Sequence, residues 1–144
     1  MTSDSRAGYF MKNRSLAETW LIRARSNISR ARQGKSTPDI VYEDLCYDCE
    51  QAAEKALKGL LILNGIVPPQ THSLALLVEM LEKHGMKIPD EIKSAISLTH
   101  YAVATRYPGS YEPVNEREYK KALNGAETVF LWVEQQFNVL SGNL

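Results

Sequence analysis

Apolar residues recur every three or four positions along most of this chain, which is the spacing that places them on one face of an α-helix. Glycine or proline separates the apolar stretches, and the alternation typical of β-strands is absent. The sequence therefore predicts an all-α fold, an antiparallel bundle of four to five helices. The predicted helices cover residues 15–33, 39–64, 73–84, 89–105 and 115–139.

The predicted domain begins with the first of these helices. Residues 1–14 are polar and are predicted to form a flexible N-terminal arm, and residues 15–140 a single helical domain. Ser15 and Glu18 have the spacing of a capping box, which places the start of the first helix at Ser15. The second helix is the longest and most apolar, so it should be central. The core positions predicted for the first, second and fourth helices are Leu16, Trp20, Leu21, Ala24, Ile28 and Ala31; Leu45, Cys49, Ala52, Ala53, Ala56, Leu57, Leu60 and Leu61; and Ile92, Ala95, Ile96, Thr99, Ala102 and Val103.

The composition is that of an ordinary globular domain, since 44% of the 144 residues are hydrophobic and 24% are charged. A chain of this length can bury a core without disulfides or metal ions. No apolar run approaches the roughly 20 residues that a membrane span needs, and the N-terminal residues lack the apolar stretch of a secretion signal. We expect a cytoplasmic protein with no membrane association, in which both cysteines are thiols.

Charge is distributed unevenly, although the formal net charge is zero. Residues 1–35 carry eight Lys and Arg against Asp4 and Glu18, whereas the remainder carries nine against fifteen acidic residues. One interpretation is that a basic first helix packs beside an acidic second helix. The other is an anion-binding edge for a nucleotide or RNA.

Sequence motifs for catalysis or metal binding are absent. Cys46 and Cys49 form a CxxC, but both lie well inside the second predicted helix, whereas redox-active pairs sit at helix N-termini. A zinc site would need two further ligands, and the histidines are scattered singly. We expect Cys46 and Cys49 to be buried, and the motifs identify no catalytic residue, no metal ligand and no cofactor.

Three carboxylates, Glu43, Glu50 and Glu54, follow one edge of the buried face of the second helix, together with Tyr47. Carboxylates one turn apart repel each other unless a cation lies near them. First-helix arginines, Arg106 or a metal ion could supply that cation. We prefer the interpretation as structural ion pairs.

The segment after the fourth predicted helix combines Arg106 with Tyr107 and Tyr111, and with a proline and a glycine. Arginine and aromatic side chains together suit phosphate pairing and base stacking. The alternative is that Arg106 ties this loop to the Glu50 and Glu54 edge while Tyr107 fills a gap.

From about Ala17 to Phe137 the chain resembles the HEPN family of helical domains. The segments that carry the resemblance are Trp20–Arg25, Tyr42–Cys46 leading into Glu50–Lys58, Gly65, Thr71–Leu74 and Thr105–Pro108. The resemblance implies a helical bundle that is commonly dimeric through helices beside the arginine-containing loop. It also implies a partner, because many members are encoded beside a minimal nucleotidyltransferase and act as the toxin half of a toxin–antitoxin pair.

Active members of the family that this chain resembles share a ribonuclease signature. In it, an arginine is followed a few residues later by a histidine. The resemblance implies that the histidine is the acid–base catalyst and that the arginine stabilises the phosphorane-like charge, without a metal ion. Arg106 matches the arginine, but no histidine follows it in the chain. His100 lies before Arg106, and we expect His72 to anchor the turn before the third helix. The mechanism thus lacks its acid–base partner.

Three functions are compatible with these residues. The first is a non-catalytic or weakly active HEPN module, associated with a nucleotide or RNA, that forms a homodimer and acts with a nucleotidyltransferase. The second is a metal-independent endoribonuclease using Arg106 with His72 or His100. In the third, Tyr107 or Tyr111 accepts a nucleotidyl group from the partner enzyme. The candidate ligand-binding residues are Arg106, Tyr107, Tyr111, Glu50, Glu54, Lys55 and His72.

Overall fold

The computed structural model of the protein describes residues 3–103, 108–109 and 112–142. Its helices are α1 (Ser3–Arg32), α2 (Tyr42–Leu63), α3 (Leu74–Lys83), α4 (Asp90–Ser94), α5 (His100–Val103) and α6 (Glu116–Gly142), with a 3₁₀ helix (Ala95–Thr99) between α4 and α5. These residues include no strand, which confirms the all-α prediction. Over the same ranges, no helix is both long enough and apolar enough to cross a membrane.

The first two helices form an antiparallel hairpin. Gly59, near the end of α2, faces Trp20, whereas Asp48, near the start of α2, meets Asn27 one to two turns further along α1. Residues later in α1 thus contact residues earlier in α2, as they do in an antiparallel pair. Gly34 ends α1 with a positive φ of 61°, a backbone conformation that glycine adopts without steric strain.

The last helix, α6, packs against both members of this hairpin. Arg25 of α1 pairs with Glu134, and Arg32 pairs with Glu127, so α6 runs antiparallel to α1. Tyr42 at the start of α2 stacks on Tyr119 near the start of α6, with ring centroids 5.3 Å apart. The bundle is thus not antiparallel throughout: α2 and α6 run parallel, because α3 to α5 return the chain to the end at which α2 begins.

The core is centred on α2, as its apolar pattern predicts. Every core position predicted for α2 is at most 5% exposed. On α1 the prediction was wrong at Leu16, which is 51% exposed, and Ala17 is buried instead. The α1 core stripe is narrow because the alanines at positions 17, 24 and 31 let α2 approach closely.

The N-terminal segment differs from its prediction. The sequence predicts a flexible arm over residues 1–14, but α1 begins at Ser3. No proline interrupts this stretch, so nothing in it forces the helix to start later. Ser15 is consequently not an N-cap, and its carbonyl accepts a hydrogen bond from the Thr19 hydroxyl inside the helix. The domain boundary at residue 15 stays a prediction.

The fourth predicted helix is interrupted by its 3₁₀ turn. Ser94 and Ser97 hydroxyls donate to main-chain carbonyls three or four residues back, a contact that competes with regular helix geometry. The tighter turn changes which residues face inward. Leu98 and Tyr101 are buried, whereas Val103, predicted to be in the core, is 56% exposed.

Gly59 of α2 lies directly against the main chain of α1. A Cβ at this position would lie 3.1 Å from the Ala17 carbonyl oxygen and 3.1 Å from Trp20 Cβ. At Gly125 in α6 a Cβ would meet nothing closer than 3.7 Å. The two glycines are therefore a matched pair for testing how tightly the hairpin packs.

We expect Gly125→Ala to raise the free energy of unfolding by up to about 1 kcal/mol, because alanine favours the helix over glycine. Gly59→Ala has the same helical advantage, but must push the α1 main chain away, which should destabilise the fold by about 1–2 kcal/mol. Urea unfolding followed by circular dichroism measures both. Equal effects of the two substitutions would contradict the close packing of α1 on α2.

Candidate functional site

A cluster of ionisable side chains lies where α2 passes the connection to α3. Glu50, Glu54 and Lys58 are spaced four residues apart and so share one stripe of α2. His72 reaches the same stripe from the connection, and its Nδ1 lies 2.7 Å from Glu54 Oε1. Lys58 Nζ donates to the other oxygen of Glu54, Oε2, at 2.9 Å. We call Glu50, Glu54 and His72 the carboxylate–histidine cluster.

The cluster is buried on the helix side and open on the histidine side. Glu50 is fully buried and Glu54 and Lys58 nearly so, whereas 43% of the His72 side chain is exposed. Gln51 Nε2 donates to Glu50 Oε2 at 2.8 Å. Among the residues that the structure describes, no donor reaches Glu50 Oε1. A buried carboxylate oxygen without a donor is uncommon and points to a proton or a cation at this place.

The two carboxyl groups of the cluster differ in their affinity for a proton. Burial, together with the adjacent Glu54, raises the pKa of Glu50 to about 9. For Glu54, burial also favours the neutral form, but the contacts with Glu50, Lys58 and His72 outweigh it and lower the pKa. In the absence of another cation, the pair therefore holds one proton at neutral pH, on Glu50, and one negative charge, on Glu54.

The turn that carries His72 is fixed by hydrogen bonds to its neighbours in sequence and space. The Ser73 side chain caps α3 by accepting from the Leu76 amide, and Thr71 Oγ1 accepts from the Ser73 amide. Thr99 Oγ1 accepts from the Leu74 amide, which ties the start of α3 to the 3₁₀ helix. His72 thus anchors the turn before α3 on α2, as expected from the sequence.

A second group of polar residues fills the seam between α1 and α2. Asn27 is buried; its Nδ2 donates to Asp48 Oδ1, and its Oδ1 accepts from Lys55 Nζ, both at 2.9 Å. Arg30 Nε lies 3.4 Å from Asp48 Oδ2. We call Arg23, Asn27 and Arg30 of α1, with Asp48 and Lys55 of α2, the polar seam.

Positive charge exceeds negative charge along this seam. Burial, and next to it the positive charge of Arg23, lower the pKa of Lys55, which shows that these two cations are close. Arg23 is exposed and makes no ion pair with any described residue. Trp20, one turn before Arg23, is half-buried, and its ring lies 5.8 Å from Lys58 Nζ. Lys58 is paired with Glu54, so the exposed cation that remains without an ion pair to any described residue on this side of α1 is Arg23, one turn from the partly exposed Trp20.

Arg25 and Arg32 of α1 have acidic partners on the last helix. Arg25 pairs with Glu134 at 2.7 Å and lies over the Phe130 ring, and Arg32 pairs with Glu127 at 3.0 Å. Among the residues whose side chains the structure describes, the predicted packing of a basic first helix beside an acidic second helix is seen as an ion pair between Arg30 and Asp48. The packing interpretation thus describes part of the basic segment, and the anion-binding interpretation stays a prediction.

The predicted acidic edge of α2 divides in the structure. Glu43 lies two turns before Glu50, and its Oε2 accepts a hydrogen bond from the Val114 amide at 3.0 Å. Lys55, the third candidate ligand-binding residue on α2, donates to Asn27 rather than to His72. The structure therefore brings together Glu50, Glu54 and His72, and places Lys55 in the adjoining polar seam.

The two cysteines are inert structural residues, as predicted. Cys46 and Cys49 are free and fully buried. Burial raises the pKa of the Cys46 thiol to about 12, and it raises the pKa of Cys49 as well. Thiols in this state are poor nucleophiles at neutral pH.

Comparison with known proteins assigns the chain to a family. A model of the HEPN domain matches residues 17–136. The chain belongs to the HEPN family. Two solved structures are similar to this chain in sequence and fold. This HEPN domain is 32% identical to TT1696 from Thermus thermophilus, with a TM-score of 0.74, over 83% of this chain and 96% of that one. It is 30% identical to ST0689, an archaeal HEPN homologue, with a TM-score of 0.68, over 84% and 97%. A search of curated proteins gave no match.

Three predicted site residues of this HEPN domain, Arg106, Tyr107 and Tyr111, lie outside the described residues. Their predicted roles in ligand binding, and those of Tyr107 and Tyr111 as acceptors of a nucleotidyl group, stay predictions. His100 is exposed and lines a pocket of about 550 Å³ between the 3₁₀ helix and α6. In that pocket the Tyr101 hydroxyl donates to Glu118 Oε1 at 2.8 Å.

Several side chains in and around the carboxylate–histidine cluster and the polar seam of the HEPN domain were not identified from the sequence. Lys58 had a usable pattern, because a glutamate followed four residues later by a lysine is the favoured ion-pair spacing on a helix. Gln51 lies on the same α2 edge, but its contact with Glu50 depends on rotamers. Asn27 gave no pattern at all, since a polar residue on the inner face of α1 finds Asp48 only when the hairpin forms.

Proposed function

We propose that this HEPN domain binds a nucleotide or RNA without cleaving it, and acts as a homodimer with a nucleotidyltransferase partner in a toxin–antitoxin-like pair. The observation that carries the binding part is the cationic surface of the polar seam, where Arg23 is exposed with no ion pair to any described residue and its charge acts on Lys55. Phosphate groups supply the negative charge that this surface lacks.

The chemistry of the seam fits a phosphate-bearing ligand. An arginine can hold phosphate oxygens through two parallel N–H donors, and Arg23 has those donors free of acidic partners among the described residues. The ring of a partly exposed tryptophan, such as Trp20, can support a base by stacking, independently of its sequence. The arrangement supports binding to the backbone and to the faces of bases, and it offers few groups that would read a particular sequence.

The absence of a catalytic histidine supports binding rather than cleavage. No histidine follows Arg106 in the sequence, so the expected acid–base partner is missing. His72 is held at the buried Glu54, and His100 lies in a pocket lined by the 3₁₀ helix and α6. A general base must lie within hydrogen-bond reach of the substrate hydroxyl. In the family pattern the histidine follows the arginine by a few residues, and His72 and His100 both precede Arg106.

A homodimer agrees with the exposed apolar residues on the outer faces of two long helices. Ile22 on α1 is 60% exposed and Leu131 on α6 is 49% exposed. The nucleotidyltransferase partner follows from the family resemblance. Light scattering on the purified chain, alone and with such a transferase, tests both associations. A chain that is monomeric and does not bind the transferase would contradict this part of the proposal.

We expect Arg23→Ala to weaken binding of single-stranded RNA and to reduce the slope of log K against log salt concentration by about 1, because one phosphate contact is lost. Fluorescence anisotropy with labelled RNA at several salt concentrations measures both quantities. Lys83→Ala is the matched control, because Lys83 is also an exposed cation but pairs with Glu79 on α3. An equal loss in both variants, or none in Arg23→Ala, would remove the seam as the binding surface.

A second candidate function is a metal-independent endoribonuclease that uses His72. One observation favours it: Glu54 accepts a hydrogen bond from His72 Nδ1, so the ring is oriented with Nε2 away from the carboxylate. A carboxylate that orients a partly exposed histidine is a usual arrangement for a general base. RNA cleavage that requires both Arg106 and His72 would establish this function in place of the first.

A further inference from the structure

The carboxylate–histidine cluster has the composition of a metal site. One carboxylate oxygen each from Glu50 and Glu54 and a ring nitrogen of His72 lie within 4.8 Å of one another. We propose that these three side chains bind one divalent cation of the zinc type. This site is separate from the polar seam and does not depend on the RNA-binding proposal.

The unsatisfied oxygen of Glu50 is the observation that distinguishes this cluster from an ordinary group of acids. Glu50 is fully buried, and no donor among the described residues reaches its Oε1. Its other oxygen is already occupied by Gln51 at 2.8 Å. A cation among the three side chains would give Glu50 Oε1 the partner that a buried carboxylate oxygen needs.

Donors around the cluster hold the carboxylates in the way that outer residues hold metal ligands. Gln51 fixes Glu50 through Oε2, and Lys58 fixes Glu54 through Oε2. The second oxygen of Glu50, Oε1, remains for a cation, whereas Glu54 Oε1 faces His72 Nδ1 at 2.7 Å and Gln51 Nε2 at 3.5 Å and would share itself with the metal. Such outer contacts orient the ligands and commonly change metal affinity about 10–100-fold when they are removed. Lys58 also limits the affinity, because its positive charge is close to the cation.

The ligand set and its exposure select the cation. The carboxylates are hard oxygen ligands that many divalent cations accept, but the imidazole nitrogen favours Zn²⁺ over Mg²⁺, which prefers oxygen ligands alone. Glu50 and Glu54 lie on rigid α2, whereas His72 is on a connection and has 43% of its side chain exposed. The Glu54 Oε1 to His72 Nδ1 distance of 2.7 Å must lengthen slightly to admit a metal, and the exposed His72 side chain allows that change.

Isothermal titration of the full chain, stripped with EDTA and returned to metal-free buffer, tests the proposal with ZnCl₂ as the probe. We expect one Zn²⁺ per chain and no comparable binding of MgCl₂. Glu50→Gln and His72→Ala should each weaken Zn²⁺ binding by more than about tenfold. His84→Ala is the matched control, because His84 is exposed at the end of α3 and away from the cluster.

A Co²⁺ spectrum gives a second measurement that does not depend on the stability of a variant. Cobalt in the cluster should show ligand-field bands without the thiolate-to-metal charge-transfer band that Cys46 or Cys49 would produce. Circular dichroism confirms that the variants are folded. The proposal is overturned if the wild type binds no Zn²⁺, if Glu50→Gln and His84→Ala bind it equally, or if the thiolate band appears.

Discussion

Glu54→Gln should lower the free energy of unfolding by about 3–5 kcal/mol, whereas Glu50→Gln, one turn away on α2, should change it by less than about 1 kcal/mol. Glu54 is the ionised member of the pair, and Lys58 and His72 both contact it. Without its charge, the buried Lys58 ammonium has no counter-ion. Glu50 already carries a proton at neutral pH because its pKa is raised to about 9, so glutamine reproduces both its shape and its donor.

Urea unfolding at pH 7 with EDTA present measures this difference without interference from metal ions. Adding Lys58→Met to Glu54→Gln should recover most of the loss, because replacing both members of a buried ion pair by groups of similar volume is often neutral. Equal destabilisation by Glu50→Gln and Glu54→Gln would show that the charge is shared differently. It would also contradict the assignment of the proton to Glu50.

The stability of the wild-type chain in EDTA should fall as the pH rises from about 5 to 9, with a contribution from Glu50 of up to about 1.4 kcal/mol per pH unit. The ordinary pKa of Glu50 is 4.5, and burial followed by the adjacent Glu54 raises it to about 9 in the folded chain. A carboxyl whose pKa is raised on folding stabilises the fold below its unfolded pKa. That contribution is lost as the pH rises toward the folded value.

The contribution of Glu54 to stability depends on pH in the opposite direction and over a different pH range. Its pKa is lowered on folding, so its contribution is present above its unfolded pKa and is lost as the pH falls below it. The groups that face Glu50 are Glu54, Lys58, Gln51 and His72. Glu50→Gln removes one titrating group and leaves the others, so it isolates the contribution of Glu50.

Thermal unfolding of wild type and Glu50→Gln across this pH range, in EDTA, tests the assignment. We expect the melting temperature of the wild type to decrease more steeply between about pH 6 and pH 9 than that of Glu50→Gln. Parallel curves would mean that Glu50 titrates in the folded chain much as it does in the unfolded chain.

The fold could be predicted because burial of apolar residues decides it, and their spacing is visible in the sequence. The α2 stripe that includes Leu57, Leu60 and Leu61 is buried as its periodicity indicates. The prediction failed where the pattern carries no information. The parallel arrangement of α2 and α6 depends on where α3 to α5 return the chain, and the 3₁₀ turn depends on hydroxyl contacts of Ser94 and Ser97.

Only the part of the candidate site that lies on a single helix could be predicted from the sequence. Glu50 and Glu54 are on the same stripe by helical geometry alone, so their proximity follows from the sequence. The approach of His72, 18 residues after Glu54, depends on the path of the connection and on the capping of α3 by Ser73. The missing donor at Glu50 Oε1 is a property of packing, which no spacing rule reveals.

The most direct test of the proposed function is cleavage of end-labelled single-stranded RNA, in EDTA, by the wild-type chain and by Arg106→Ala. We predict that neither protein cleaves the RNA at concentrations at which anisotropy shows that the wild type binds it. Cleavage by the wild type that is lost in Arg106→Ala would contradict that prediction. It would make this HEPN domain a ribonuclease with its general base in a new position.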